Sequence, residues 1–119
     1  MADIVSWFEI PASDFDRAVD FYSTILGQEL PKGEFMGTPH GFFTNSDGSR
    51  FGAVIKHPTA VPGNTGTLIY LHTKNLEQVL ERVESAGGSI DTPKTSLGEM
   101  GWIAVLIDTE GNRVALHTE

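Results

Sequence analysis

Apolar residues recur along this chain with two different periods. In WFEIPASDFDRAVDFY, residues 7–22, an alternating start gives way to Phe15, Ala18, Val19 and Tyr22, spaced i, i+3, i+4, i+7. That spacing is one stripe of an amphipathic helix, whereas alternation belongs to a half-buried strand. Ser13 or Asp14 opens the helix, and Gly27 stands just past it, where a left-handed cap favours glycine. The pattern returns 61 positions later in LIYLHTKNLEQVLERV, residues 68–83. Trp7 then corresponds to Leu68, and the helical stripe to Leu76, Val79, Leu80 and Val83. Asn75 with Gln78 resembles a capping pair, and Gly88 answers Gly27 as a second left-handed cap.

The agreement continues to the end of each half. Asp47-Gly48-Ser49-Arg50-Phe51 matches Glu110-Gly111-Asn112-Arg113-Val114 at an offset of 63, and both read as tight hairpin turns. Each half is therefore strand, helix, strand, strand, strand. The first covers about residues 3–58 and the second about 65–119, with HPTAVPGNTG, residues 57–66, as linker. The expected fold is α+β. One domain over residues 1–119 holds two tandem βαβββ modules that form a cupped mixed sheet with helices on its outer face.

Alternation assigns side chains to the two faces. Phe8, Ile10, Ile69, Leu71, Val114 and Leu116 are expected under the helices, together with Ile103, Val105 and Ile107. The other face then carries Trp7, Glu9, Phe42, Val54, Tyr70 and Trp102, joined by Leu68, Ala115, Lys56, His72 and His117. An aromatic concavity with a few polar groups is the usual form of a small-molecule site. Core packing or a dimer seam would use the same residues. His40 and His57, beside Pro39 and Pro58, read as solvated loop residues. Asp47 and Glu110 read as turn chemistry.

Composition narrows the chemistry. With no cysteine in 119 residues, disulfides, thiolate zinc sites and a cysteine nucleophile are excluded. Sixteen acidic against eight basic residues give a formal charge of −8, and the scattered Lys and Arg make nucleic acid a poor partner. MADIVSWFEI has neither a basic n-region nor a long apolar run, so the expectation is a mature, cytoplasmic protein without a membrane anchor. No P-loop, G-x-S-x-G or dinucleotide fingerprint occurs.

The motifs D-x-x-x-A-x-x-FY (Asp14 to Tyr22) and D-x-x-G-N-x-V-x-L (Asp108 to Leu116), set in paired βαβββ modules, resemble the vicinal oxygen chelate superfamily. That group includes glyoxalase I, extradiol dioxygenases, fosfomycin resistance enzymes and bleomycin resistance proteins. The runs Ala86-Gly87-Gly88, Pro93-Lys94-Thr95 and Gly101-Trp102 are similar to a subgroup of small glyoxalase-like proteins. The resemblance implies four metal ligands at symmetric strand positions, which fall here on Trp7, Gly52, Leu68 and Ala115. None offers the imidazole or carboxylate that a divalent cation wants, and the indole nitrogen only donates. No cofactor is therefore expected.

Two functional readings follow. The first is a metal-free protein that holds a small-molecule ligand in the cup, as the likeness to bleomycin resistance proteins implies. Trp7, Tyr70 and Trp102 would stack on the ligand and Glu9 would supply charge. The second is an enzyme of the superfamily, of lyase, isomerase or dioxygenase type. It would use Glu9 with His72 and His117 as acid/base groups or as a relocated divalent metal site. Against a shared site, His72 is expected about two rungs beyond the others, roughly 6–7 Å along its strand. The resemblance also implies a homodimer, the commonest closed assembly.

Overall fold

The computed structural model describes residues 4–119, so the expected start of the first module at Asp3 lies outside the described residues. The first module runs β1 (Phe8–Pro11), α1 (Phe15–Leu26), β2 (Lys32–Phe35), β3 (Thr38–Thr44) and β4 (Arg50–Ile55). The second runs β5 (Tyr70–His72), α2 (Leu76–Val83), β6 (Ser89–Ser96), β7 (Trp102–Ile107) and β8 (Arg113–Thr118). A short 3₁₀ turn, Gly98–Met100, precedes β7. The α+β class and the two tandem βαβββ modules are as the periodicity indicates.

The eight strands divide into two mixed sheets, ordered β1-β4-β3-β2 and β5-β8-β7-β6. In each, the first strand pairs parallel with the last, and the remaining ladders are antiparallel. Helices α1 and α2 pack on each other. Ala18, Val19, Phe21, Tyr22 and Ile25 of α1 and Leu76, Val79 and Val83 of α2 join Ile10, Val54, Leu71, Leu106 and Leu116 in one core that spans both modules.

Asp14 caps α1 by accepting from the Arg17 N–H at 3.0 Å, and Gly27 closes it at φ 66°. At α2 the symmetry is imperfect. Asn75 holds the N-cap position but its side chain makes no capping bond. The left-handed glycine is Gly87, at φ 105°, rather than Gly88. Gly88 is needed for close approach instead: a β-carbon there would lie 2.6 Å from the Ile107 carbonyl oxygen and 2.7 Å from the Phe21 ring.

Two strands are turned over relative to expectation. Ala104 and Leu106 of β7 pair with Leu116 and Val114 on the helix side, which sends Ile103 and Val105 to the far face. WIAVLI is apolar throughout, so its period cannot say which set points inward. In β4, Val54 faces α1 and is fully buried, while Ala53 and Ile55 pair with Phe42 and His40 on the far face. A register shift at Phe43/Thr44 causes this. It also moves the far-face position beside β1 from Gly52 to Ala53, and leaves Gly52 where a β-carbon would meet the Phe8 ring at 2.5 Å.

The modules are tied by the β7–β8 turn of the second. Glu110 Oε1 accepts from the backbone N–H groups of Ser13 and Asp14 at 2.9 and 2.8 Å, and Arg17 Nε donates to Oε2 at 2.8 Å. Asp108 accepts from the Tyr22 hydroxyl at 2.6 Å, and Asn112 donates to the Pro11 carbonyl at 2.7 Å. Burial and then the Asp108 carboxylate push the Tyr22 phenol well above its ordinary value. Burial alone would raise the Glu110 carboxyl, but the donors from Arg17, Asp14 and Thr109 outweigh it and hold the pKa at about 2, down from 4.5.

A depressed carboxylate pKa stabilises the fold above the unfolded value and loses that contribution as pH falls through the folded one. Glu110 should therefore lose its stabilisation between pH 4.5 and about 2. Allowing for the half-exposed Arg17, the contribution is roughly 2 kcal/mol. Denaturant melts of Glu110→Gln at pH 7 should show a loss of about that size, shrinking as pH approaches 2. An equal deficit at both pH values would contradict it.

Candidate functional site

The far face of the first sheet forms a concavity of about 620 Å³. Trp7, immediately before β1, shares parity with Glu9, while β3 contributes His40 and Phe42 and β2 contributes Phe35. The rings meet as a box. Trp7 stands edge-on to Phe42 at 6.3 Å, His40 stacks on Phe42 at 5.5 Å, and Phe35 stands edge-on to His40 at 6.1 Å. Arg50 lies over the Phe42 ring at 4.0 Å and supplies a cation at the rim.

Glu9 and Glu34 are the carboxylates that line the concavity, and Glu9 is the one that touches the rings. Its Oε2 accepts from the Trp7 indole N–H at 3.3 Å and lies 3.7 Å from His40 Nε2. His40, expected to be a solvated loop residue, is buried instead, with its side chain only 7% exposed. Its Nδ1 is 2.8 Å from the Thr38 carbonyl oxygen, which can only accept, so Nδ1 carries the hydrogen. The β2–β3 hairpin brings His40 here by turning at Met36 and Gly37, both at positive φ. Pro39, read as a loop marker, is accommodated inside β3. Alternation with Phe42 is the one signal in the sequence that places His40 on this face.

The second sheet carries its own set. Tyr70 pairs with Ala115 and His72 with His117, all on one face. His72 is thus level with His117 rather than two rungs beyond it. The two rings lie 6.1 Å apart. His72 Nε2 is 2.6 Å from Glu119, which lowers the Glu119 carboxyl, and His117 Nε2 is 2.6 Å from the Met100 carbonyl.

Of the six residues expected to hold a ligand, Trp7, Glu9 and Phe42 come together. Val54 lies in the core, and Tyr70 belongs to the other sheet. Trp102 sits at the helix-side end of β7, under Lys94 at 4.6 Å, where Lys94 pairs with Glu77 of α2. Glu9 and the His72–His117 pair likewise lie on different sheets.

A sequence profile of the Glyoxalase/Bleomycin resistance protein/Dioxygenase superfamily matches residues 4–116. The chain belongs to this superfamily. It is similar to the anthracycline biosynthesis protein DauV of Streptomyces sp. (strain C5), with 29% identity over 93% of this chain and 45% of that protein. The chain thus spans about half the length of that curated relative. A glyoxylase-like domain-containing protein of Didymella fabae is 29% identical over 96% of this chain and 92% of its own length. The crystal structure of a glyoxylase/bleomycin resistance protein/dioxygenase domain from Frankia sp. EAN1pec superposes with a TM-score of 0.74 at 20% identity, covering 99% of this chain and 98% of that one.

The superfamily's divalent metal does not fit the residues at its expected positions. Trp7, Leu68 and Ala115 offer no lone pair suited to a cation, and neither Gly52 nor Ala53, which replaces it on the far face, does so. Among the described residues no group of three His, Asp or Glu is placed to hold a metal ion. Zinc or nickel titrated to equimolar amounts should leave tryptophan fluorescence unchanged and should not remain bound after gel filtration. A one-to-one metal signal abolished in His72→Ala or His117→Ala would contradict this.

Proposed function

We propose that this glyoxalase-superfamily chain binds a planar, polycyclic aromatic small molecule on the far face of its first sheet, without the superfamily's divalent metal. The observation that carries the reading is the box of Trp7, Phe35, His40 and Phe42 around a space of about 620 Å³, with Glu9 inside it and Arg50 at its edge. Pockets of several hundred Å³, mostly apolar with a few polar groups, are the size and character that small ligands fill. Trp7 and Phe35 remain 38% and 62% exposed, so apolar surface is available for a ligand to cover. The likeness to an anthracycline biosynthesis protein supports a flat, multi-ring ligand. Glu9 and Arg50 would fix its orientation through its hydroxyl and carbonyl groups.

The second reading, an enzyme, is favoured by the contact between Glu9 and His40 at 3.7 Å, and it uses the same pocket. A second copy that brings its second sheet over the first sheet of this one would add His72 and His117 to such a site. Exposed Tyr70 on one far face and Trp7 on the other support pairing as a homodimer.

Titration with 1,8-dihydroxyanthraquinone should quench Trp7. Trp7→Ala should weaken binding about 10–100-fold, the cost of one stacking anchor. Trp102→Phe should leave the affinity within about threefold; equal losses in both variants would contradict the placement. Light scattering at micromolar concentration should give twice the chain mass, and a monomer mass would remove the dimer from the proposal.

A further inference from the structure

We infer that Glu9 and His40 form a proton-transfer pair that enolises a carbonyl-bearing aromatic ligand, with Arg50 facing the oxyanion that develops. The inference deepens the proposed ligand site and rests on that reading. Its substrate class is a ring ketone with an acidic C–H beside the carbonyl.

Two proton-carrying groups meet in this pocket. With Nδ1 of His40 donating to the Thr38 carbonyl, Nε2 is the ring atom left to take up or give a proton. It lies 3.7 Å from Glu9 Oε2. One proton held between the two makes them a donor–acceptor pair, charge-assisted if His40 carries it. Such a contact is long without its proton and shortens when one arrives. The Trp7 indole N–H already orients Oε2 from the other side at 3.3 Å. Among the described residues no donor is bonded to Oε1, so that oxygen is left for a ligand.

The surroundings match enolisation. Phe42 and Phe35 flank His40 and keep the ring out of water. Lys32 is spent on Asp16, and Arg50 has no carboxylate within ion-pair distance among the described residues. Arg50 is therefore the pocket cation available to a negative oxygen.

The step balances within the ligand. Glu9 takes the proton from the carbon beside the carbonyl; the C–H electron pair becomes the new C–C π bond, and the carbonyl π pair moves onto oxygen. The proton is shared with His40 Nε2 and returns to the enolate oxygen, to the original carbon or to a conjugated carbon. Nothing is oxidised or reduced, and no co-reactant is consumed. In heavy water the returning proton is exchanged for deuterium.

The probe is 2-tetralone, a bicyclic ketone with an acidic C1–H, in deuterated buffer. Exchange at C1 is followed by proton NMR and binding by Trp7 quenching. Wild type should exchange C1 at least tenfold faster than buffer. Glu9→Gln, which keeps the shape and removes the base, should exchange C1 at the buffer rate even at probe concentrations that saturate its quenching. His40→Gln should lose most of the enhancement when compared at its own saturation, and circular dichroism checks its fold. Quenching by wild type with exchange at the buffer rate would overturn the inference and leave the binding site standing. Undiminished exchange in Glu9→Gln would also overturn it. Neither quenching nor exchange would remove the ligand site and the inference together.

Discussion

The carboxylate of Glu110 holds the two halves of this molecule in one arrangement. It stands at the tip of the β7–β8 turn, in the second module, and reaches the first turn of α1, in the first. Helix N-termini carry unpaired N–H groups and partial positive charge, and Glu110 satisfies both while pairing with Arg17. Asp108 and Asn112, from the same turn, reach Tyr22 and Pro11. The first helix is thus anchored at its start by residues almost a hundred positions away. Apart from that anchor, the modules are joined by the packing of α1 on α2 and by Arg82, which donates to the Ile25 carbonyl at 3.3 Å.

This anchoring decides where ligand chemistry can happen. The helices and the β7–β8 turn join the modules on their inner sides, and the concavity lies on the far face of the first sheet. The first assembles an aromatic box with a carboxylate, an imidazole and a guanidinium. The second pairs two histidines whose Nε2 atoms are already engaged by Glu119 and Met100. The chemical asymmetry between two halves of a duplicated chain is informative. Positions Glu9 and Tyr70 are equivalent in the repeat, and only the first carries a carboxylate.

Much of this was legible in the sequence, because duplication and helical period survive as spacing. Phe15, Ala18, Val19 and Tyr22 and their counterparts mark helix faces without ambiguity, and the Asp47-Gly48 and Glu110-Gly111 turns mark hairpins. What escaped was register. WIAVLI has no polar residue to say which side is out, so its pattern does not distinguish the face that Trp102 takes from the opposite one. One irregular step at Phe43/Thr44 turns β4 over and takes Val54 into the core. His40 was hidden by its neighbour, since Pro39 marks a loop in most contexts and an edge-side strand position in this one. Glu110 was hidden because capping is sought within a few residues, and this cap comes from 96 and 97 positions away.

The same register gives the strand beside the pocket its chemistry on the proposed reading. Where the family resemblance implies a metal ligand, Trp7 offers an N–H donor and a flat ring, and the donor orients Glu9, two residues along the same face. With a cation, a pocket of this kind would stabilise negative charge by coordination. Without one, that task falls to whatever cation the walls supply, and Arg50 stacked on Phe42 is such a group, held by its ring rather than neutralised by an acid. A guanidinium stabilises an oxyanion less than a divalent ion does, so the chemistry within reach shifts towards ligands that are already acidic. Conjugated ring ketones, whose enolates are spread over the ring, meet that condition and are the ligands the proposed site would take.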